Sequence, residues 1–332
     1  MENAESIASI DVICRPPKAT GRGLKKLRQV PILSAAKNLS LPVHEVDTFT
    51  EWTPPATHGR YINLVVAVSF GLLIPPRIIN GAKYGGVNVH PSLLPAFRGA
   101  APLHHTLLSG TEVTGVSLQT LHPTKFDHGV ILAQTAPLRH GAQTVKELEK
   151  ILSPEAAKLL LQGIRDRVFV NPPKEINDRN APGEEKAILR APKLSTVDRH
   201  IDWQSWTAER IVRTHRVIGP LWNYFSRADE TSSKQTRMIW PSGFRESPEC
   251  PEYIKALVPN AGHPIIVGLQ SPTQDIYIKT CDGHMLQSDY AKVEGDITRS
   301  FVHAARRTRM IGPPTDLDES SQEFKLFDCS LS

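Results

Sequence analysis

The chain has 332 residues, 40% hydrophobic and 22% charged, with a formal net charge of +5. This globular composition allows two domains with separate cores, and no apolar run reaches the roughly 20 residues of a membrane span. The four cysteines are scattered without metal-ligand spacing, which excludes a cysteine-rich metal site and is typical of free thiols in a reducing compartment. The N-terminus shows neither a signal peptide nor a transit segment, and the basic balance fits either a polyanionic partner or a solvated surface.

The first half of the chain predicts alternating strands and helices. Short apolar segments rich in β-branched residues predict strands over 7–14, 41–46, 63–68, 86–89, 115–121 and 130–135. Helical patterns occur over 31–39, 75–80, 101–109 and 144–165. The segment 63–68 is apolar throughout its length after the first residue, which is typical of a buried strand in a parallel sheet.

A basic segment follows the first predicted strand. Its cationic residues have no acidic residue among them, and they are Arg15, Lys18, Arg22, Lys25, Lys26 and Arg28. The glycines on either side of Arg22 let the backbone approach a ligand closely. Such a loop suits the phosphates of a nucleic acid, but a loop of this kind can equally be a solvated surface feature.

Three polar side chains at the ends of neighbouring predicted strands point to acyl-group chemistry. Asn88 and His90 are two residues apart on a strand, so their side chains share one face. Asp127 follows a further predicted strand, in a loop bounded by Gly129. A histidine that handles protons, a carboxylate that orients it and an amide that donates to an oxyanion can together transfer an acyl group to an amine. Taken singly, each residue also has an ordinary structural explanation: a solvated histidine, a turn asparagine and a capping aspartate.

The second half of the chain has a different character. Residues 171–192 are rich in Pro, Asn, Lys and Glu and predict an interdomain linker, which we extend to 171–200. A helix is predicted over 207–217, and short strands over 222–225, 236–240, 265–269, 276–279 and 285–293 fit a small β-barrel domain spanning 201–312. A basic helix over 300–309 could contact RNA or lie in solvent. The acidic, Ser-rich tail 313–332 is expected to be disordered.

The segment around Asn88 resembles a family signature. Residues 87–102, VNVHPSLLPAFRGAAP, are similar to the N-x-H-x-S-L-L-P-x-x-R-G-x-x-P pattern of the folate-dependent formyltransferases. SFGLLIP, residues 69–75, resembles the family segment that lines the pterin pocket. FDHGVILAQ, residues 126–134, resembles the D-x-G segment that carries the catalytic aspartate.

The resemblance implies a fold and a domain order. It implies an α/β fold with a Rossmann-like, mostly parallel sheet over 1–170, followed by a small OB-like β-barrel domain. The order of the C-terminal segments and the basic loop resembles the branch that acts on methionyl-tRNA rather than the shorter purine-pathway members. It also implies that this chain begins at the second strand of the family fold and lacks the first strand and helix, which would leave unpaired sheet edges.

The resemblance further implies an activity and a set of site residues. The enzyme would move a formyl group from 10-formyltetrahydrofolate to the amino group of initiator methionyl-tRNA, without a metal. Asn88 and protonated His90 would face the oxyanion, and Asp127 would orient His90 and favour its charged form. The folate would be held by Ser92, Leu93, Leu94 and Pro95 with Ser69, Phe70, Gly71 and Leu72. The tRNA would contact Arg22, Lys25 and Lys26.

Three further expectations concern context. The protein is expected to be a monomer without membrane association. Initiator formylation belongs to bacteria and their organelles, and the divergent sequence outside the motif favours the mitochondrial matrix over a bacterial cytoplasm. The alternatives left open are a formyltransferase acting on a small amine such as a nucleotide sugar, a formyl-folate hydrolase, and an inactive relative that only binds folate or RNA.

Overall fold

The computed structural model describes residues 7–55, 61–170, 189–227, 236–247, 250–258, 260–267, 275–307, 324–326 and 329–331. They belong to two compact units. The first comprises Met1–Thr106, Glu112–Gly141 and Lys146–Lys193, and the second Leu107–Thr111, Ala142–Val145 and Leu194–Ser332. Most of the predicted linker, 171–188, lies outside the described residues. Of its described part, residues 189–193 belong to the first unit and residues 194–200 to the second.

The elements of the first half follow the predicted alternation closely. The strands are β1 Val12–Cys14, β2 Lys18–Thr20, β3 Lys26–Arg28, β4 Val43–Glu45, β5 Val65–Val68, β6 Gly86–His90, β7 Val113–Thr114, β8 Ser117–Thr120, β9 Ile131–Gln134 and β10 Leu138–Arg139. The helices are α1 Pro31–Asn38, α2 Pro76–Gly81, α3 Pro102–Leu108 and α4 Val145–Arg165. α1 and α2 each begin with a proline in the first turn, where the missing N–H has no helical partner to lose.

The main sheet of the first unit has the order β5-β6-β8-β9. β5 and β6 are parallel, whereas β8 runs antiparallel to both β6 and β9. The expected mostly parallel sheet is therefore a mixed sheet, because the chain re-enters it after α3 against the direction of β6. β1 and β4 form a separate parallel pair, and in the described residues no strand pairing joins them to β5.

β6 is the central element on which the site depends. Four of its five residues are buried, as expected for a strand covered on both faces. α4 packs against the neighbouring strand so closely that a Cβ on Gly163 would lie 2.5 Å from a methyl carbon of Leu118. α4 therefore covers the face of β8 that carries Leu118, opposite to the face of Ser117 and Gln119.

The second unit is built mainly of antiparallel strands. Its helices are α5 Ala208–Ile218, α6 Glu252–Leu257 and α7 Phe301–Arg307. Its strands are β11 Leu221–Arg227, β12 Thr236–Trp240, β13 Arg245–Glu246, β14 Pro264–Val267, β15 Asp275–Lys279, β16 Met285–Gln287, β17 Tyr290–Val293, β18 Arg299–Ser300, β19 Phe324–Leu326 and β20 Cys329–Leu331. α5 begins after Thr207, whose side chain accepts a hydrogen bond from Arg210 N at 3.2 Å.

These strands form two five-stranded sheets, β18-β17-β12-β11-β20 and β13-β16-β15-β14-β19. No pairing among the described strands closes them into a barrel. The predicted strand 285–293 is two strands, because Ser288 turns inward and donates to the Gly243 carbonyl at 2.7 Å. β19 and β20 lie within the tail segment that was expected to be disordered, and the remainder of 313–332 is outside the described residues.

A cluster of large aromatic side chains fills the second unit. Trp203, Trp240 and Phe301 are each at most 2% exposed, and the rings of Trp240 and Phe301 are 4.7 Å apart in an edge-to-face contact. The Trp240 indole N–H donates to Asn223 Oδ1 at 2.6 Å, so the buried indole is satisfied. None of the helices in the described parts of the chain is long and apolar enough to cross a membrane.

Candidate active site

Strand β6 presents Asn88 and His90 on one face of the sheet. The register pairs Ala67 of β5 with Asn88, so the loop that follows β5 emerges beside His90. On the other side, Gln119 of β8 lies directly opposite Asn88. Alternation along a strand and cross-strand pairing together place the side chains of Asn88, His90 and Gln119 on the same face.

Asp127 reaches this face from the loop between β8 and β9. Its Oδ1 accepts hydrogen bonds from Asn88 Nδ2 at 3.0 Å and Gln119 Nε2 at 2.9 Å, and lies 3.3 Å from His90 Nδ1. Its Oδ2 accepts from the Gly99 backbone N–H at 3.1 Å. Asp127 has a left-handed backbone with φ of 54°, a conformation that aspartate tolerates better than most residues. The three predicted catalytic residues therefore meet at one carboxylate.

The hydrogen bonds around Asp127 determine its ionisation. Burial on its own would raise the pKa of the Asp127 carboxyl, since its side chain is only 8% exposed. The hydrogen bond and charge of His90, with the donors from Gly99 and Gln119, outweigh burial and leave the pKa of Asp127 below its ordinary value. The site thus contains a buried carboxylate that is ionised at neutral pH.

Both ring nitrogens of His90 face acceptors. Nδ1 faces Asp127, and Nε2 lies 3.0 Å from the Phe97 carbonyl oxygen. The imidazole is 4% exposed, so it is enclosed by the protein. The expected contact between His90 and a substrate oxyanion would require the bond to Phe97 to be replaced.

The predicted folate turn, Ser92 to Pro95, is fixed by side chains of two neighbouring strands. Ser117 Oγ donates to the Ser92 carbonyl at 2.7 Å and accepts from Leu94 N at 2.9 Å. Gln134 Nε2 donates to the Leu94 carbonyl at 2.9 Å and to Ser117 Oγ at 2.8 Å. Ser92 and Leu94 are buried, whereas Leu93 and Pro95 are half-buried and present an apolar surface.

The loop that follows β6, residues 91–101, is called the motif loop here. Its end is held by backbone hydrogen bonds to a distant part of the chain, which form a clasp. Phe97 N donates to the Leu189 carbonyl at 2.6 Å, Ala191 N to the Arg98 carbonyl at 2.8 Å, and Ala101 N to the Ala191 carbonyl at 3.1 Å. Gly99 has φ of 132°, and a Cβ there would lie 2.2 Å from the Ala191 carbonyl oxygen. Only glycine fits this position, which explains the glycine of the Arg98-Gly99 motif.

The second predicted folate segment, Ser69 to Leu72, follows β5 at the same edge of the sheet. Ser69 and Gly71 are exposed and left-handed, with φ of 48° and 79°, while Phe70 and Leu72 are half-buried. Leu72 lines a cleft of about 400 Å³ whose other walls are residues 47–51, Leu73, Pro75 and Arg77. The predicted catalytic residues Asn88, His90 and Asp127 are not part of the lining of this cleft.

The predicted basic loop is a hairpin of β2 and β3. Lys25 and Lys26 are exposed near its turn. The backbone of Arg22 lies in a short 3-10 turn, and its side chain is outside the described structure. Gly21 and Gly23 have φ of 82° and 74°, so the turn needs glycine at both positions.

Sequence reasoning missed Gln119, which touches Asp127 directly. Its local signal was the pair Ser117 and Gln119, two polar residues at alternate positions of the predicted strand 115–121. Both are buried, which identifies this face of β8 as part of the site. Within the described residues, no group of three or more His, Cys, Asp or Glu side chains is placed to hold a metal ion.

Comparison with known proteins agrees with this geometry. A family model described as formyl transferase matches residues 2–164, which makes the first unit a formyl transferase domain. The chain is 30% identical over 318 residues to the mitochondrial methionyl-tRNA formyltransferase of Saccharomyces cerevisiae, covering 84% of this chain and 76% of the yeast protein. It therefore belongs to the methionyl-tRNA formyltransferase family.

Two other relatives bear the same name. The human mitochondrial protein is 37% identical over 216 residues, which cover 65% of this chain and 50% of the human protein. The protein of the bacterium Methylobacillus flagellatus is 30% identical over 230 residues, which cover 69% of this chain and 71% of that protein. The chain thus spans about half the length of its human relative and about three quarters of the yeast and bacterial ones.

Proposed function

We propose that this chain transfers the formyl group of 10-formyltetrahydrofolate to the amino group of initiator methionyl-tRNA. The observation that carries the proposal is the convergence of Asn88 and His90 on Asp127 within 3.3 Å. An amide donor, an imidazole and a carboxylate around one point are the groups that transfer of an acyl group to an amine requires.

Asn88 is the residue that we assign to the oxyanion. One hydrogen of its Nδ2 is used by Asp127, and no other described group takes the second. Because Asp127 accepts the first hydrogen, the amide cannot flip, and the second N–H is held in a fixed direction. A preorganised donor of this kind typically raises kcat by a factor of about 10²–10³.

Asp127 is the residue that we assign to the amine proton. Its Oδ1 already has three neighbouring donors, whereas Oδ2 accepts one hydrogen bond, from Gly99. Oδ2 therefore retains capacity to accept the proton that the amine loses as its nitrogen bonds to the formyl carbon, directly or through a water. The proton lost is balanced by one delivered to the folate nitrogen that leaves.

The residues that follow β5 and β6 fit a folate. The half-buried side chains of Phe70, Leu72, Leu93 and Pro95 supply apolar surface, and the exposed backbone at Gly71 has no heavy atom within 4 Å of a Cβ position. A pterin needs both apolar walls and accessible polar backbone. When bound, the folate supplies an activated formyl carbon, so no Lewis acid is needed for attack by an amine.

The tRNA would be bound by the β2–β3 hairpin and by the second unit. Lys25 and Lys26 are exposed, and together with Arg22 they suit phosphates of an acceptor arm. We propose that the sheets of the second unit form an OB-like barrel that also contacts the tRNA, and that the protein acts as a monomer. Because two of the relatives above are mitochondrial proteins, we place the reaction in the mitochondrial matrix.

The test is formylation by purified protein of initiator methionyl-tRNA with 10-formyltetrahydrofolate. We expect formyl-methionyl-tRNA to form, and Asn88→Ala and Asp127→Ala to lose at least about 10²-fold in kcat while their circular dichroism stays unchanged. Turnover at the wild-type level by either variant would rule out the site assignment. Formylation of a nucleotide-sugar amine in place of the tRNA would favour a formyltransferase that acts on small amines. Release of formate without an acceptor would favour a formyl-folate hydrolase.

A further inference from the structure

Gln119 is a buried amide inside the candidate site that the proposed reaction does not yet use. It is 1% exposed and pairs with Asn88 across β6 and β8. Its Nε2 donates to Asp127 Oδ1 at 2.9 Å, the shortest of the contacts around that oxygen. Asn88 and His90 contact Asp127 from β6 and Gly99 does so from the motif loop, whereas Gln119 contacts it from β8.

The orientation of this amide is fixed by charge. Asp127 is an anion that accepts hydrogen bonds, so Gln119 must present Nε2 to it, and the flipped amide would place two oxygens against each other. Gln119 Oε1 is then directed elsewhere, and it is buried without a hydrogen-bond partner among the described residues.

The oxygen of this amide carries a cost to stability beside the bond that its nitrogen makes. A buried acceptor without a partner carries a desolvation penalty, and an apolar side chain of similar shape would avoid it. Residues that break a rule of stability in this way are expected at functional positions. The cost is understandable if the amide is needed for what its Nε2 does to Asp127.

We propose that Gln119 is a positioning residue that holds the Asp127 carboxylate in the orientation in which Oδ2 meets the attacking amine. Together with Asn88 and His90 it occupies Oδ1, which leaves Oδ2 with the Gly99 N–H alone. The catalytic part of this inference rests on the proposed function, whereas the hold on Asp127 can be tested without it.

The neighbours of Asp127 define what the test must control. Titratable or charged groups on the surrounding elements are His90 on β6, Arg98 on the motif loop, and His122, Lys125 and His128 on the loop of Asp127 itself. Of these, His90 is within hydrogen-bond reach of the carboxylate. Any change at residue 119 must therefore be compared with a change that leaves His90 in place and does not touch Asp127.

The experiment compares Gln119→Met with Gln134→Met. Methionine is close to glutamine in size but has no donor, and Gln134 is a half-buried glutamine of the same sheet whose bonds go to Leu94 and Ser117. The first readout is the ¹³C NMR titration of the Asp127 carboxyl, assigned by its loss in Asp127→Asn. We expect its midpoint to rise by about one pH unit in Gln119→Met and to stay in place in Gln134→Met.

The second readout is kinetic and thermal. Gln119→Met should lower kcat about tenfold with little change in the KM for folate. Its melting temperature should stay close to that of wild type, because the lost bond to Asp127 and the relieved burial of Oε1 act in opposite directions. Gln119→Glu keeps the shape of the side chain and places a second carboxyl beside Asp127, so it should raise the titration midpoint of Asp127 further. This variant replaces Gln119→Met in the experiment if the methionine variant does not fold. An Asp127 titration that is the same in wild type, Gln119→Met and Gln119→Glu would overturn the proposal.

The two proposals fail differently. If the wild-type protein formylates nothing while the Asp127 midpoint shifts as expected, the proposed function fails and the hold of Gln119 on Asp127 stands. If the wild-type protein is active and Gln119→Met is equally active with an unshifted midpoint, the role of Gln119 is wrong and the function stands.

Discussion

Replacing Gly99 with alanine should damage both the stability of the first unit and its activity. The new Cβ would lie 2.2 Å from the carbonyl oxygen and 2.6 Å from the carbonyl carbon of Ala191, both backbone atoms that cannot move aside alone. The residue would also have to keep φ near 132°. Any shift that relieves the overlap displaces the Gly99 N–H from Asp127 Oδ2, a bond of 3.1 Å.

The expected magnitude follows from these two effects. A backbone conformation reserved for glycine costs about 1–3 kcal/mol, and forcing an extra methyl into a packed position costs about 1–3 kcal/mol more. A total of about 2–6 kcal/mol would lower the melting temperature by roughly 4–24 °C, at about 2–4 °C per kcal/mol. We expect kcat to fall at least about tenfold because Asp127 loses a donor.

Gly141→Ala is the matched control, measured by the same thermal unfolding and formylation assays. Gly141 is also left-handed, with φ of 56°, but a Cβ there would meet nothing within 4 Å. This variant should lose only the conformational part, about 1–2 kcal/mol, and keep full activity. Equal melting temperatures and equal turnover for the two variants would refute the account of the motif glycine.

Three further predictions test other parts of the structure. Because the pKa of Asp127 is lowered on folding, its stabilising effect should be present above its ordinary pKa of about 4 and lost as pH falls through the folded pKa. The difference in unfolding free energy in urea between wild type and Asp127→Asn should therefore shrink as pH falls below about 4, and a difference that stays constant down to about pH 2 would contradict the lowered pKa. Replacing both Lys25 and Lys26 with glutamate should raise the KM for methionyl-tRNA at least about tenfold and weaken its dependence on salt, while the KM for folate stays the same. An unchanged KM for the tRNA would exclude the hairpin as a tRNA contact. Asn223→Ala leaves the Trp240 indole N–H without its partner and should cost about 1–3 kcal/mol in urea unfolding, whereas a cost under 0.5 kcal/mol would show that the bond is not needed.

The parts of the site that could be predicted from sequence are those set by local spacing. Asn88 and His90 share a face because strand alternation is a property of adjacent residues, and the structure confirms that strand. Asp127 was singled out by its place after a predicted strand and then by the resemblance, and the loop that carries it brings it within 3.3 Å of His90. The helices were predictable for the same reason, since their apolar periodicity and first-turn prolines are local signals.

The parts that were missed depend on contacts between distant residues. Gln119 faces Asn88 only because of the register between β6 and β8, which a single sequence does not specify. The predicted strand 285–293 is broken at Ser288, whose partner is the carbonyl of residue 243. The direction of β8 could not be read from its composition either, because antiparallel and parallel buried strands have the same apolar pattern.

The clasp of residues 189–192 on the motif loop has a consequence for how the family can diverge. Its bonds are made by main-chain atoms of Leu189, Arg98 and Ala191, so they do not depend on which side chains occupy 189–192. Natural variation can therefore change the exposed residues Leu189, Arg190 and Pro192 while the loop keeps its shape, provided that position 191, which is fully buried, keeps a small residue with a backbone N–H. Positions of this kind do not appear in a signature pattern, although their backbone hydrogen bonds fix the conformation of the signature residues.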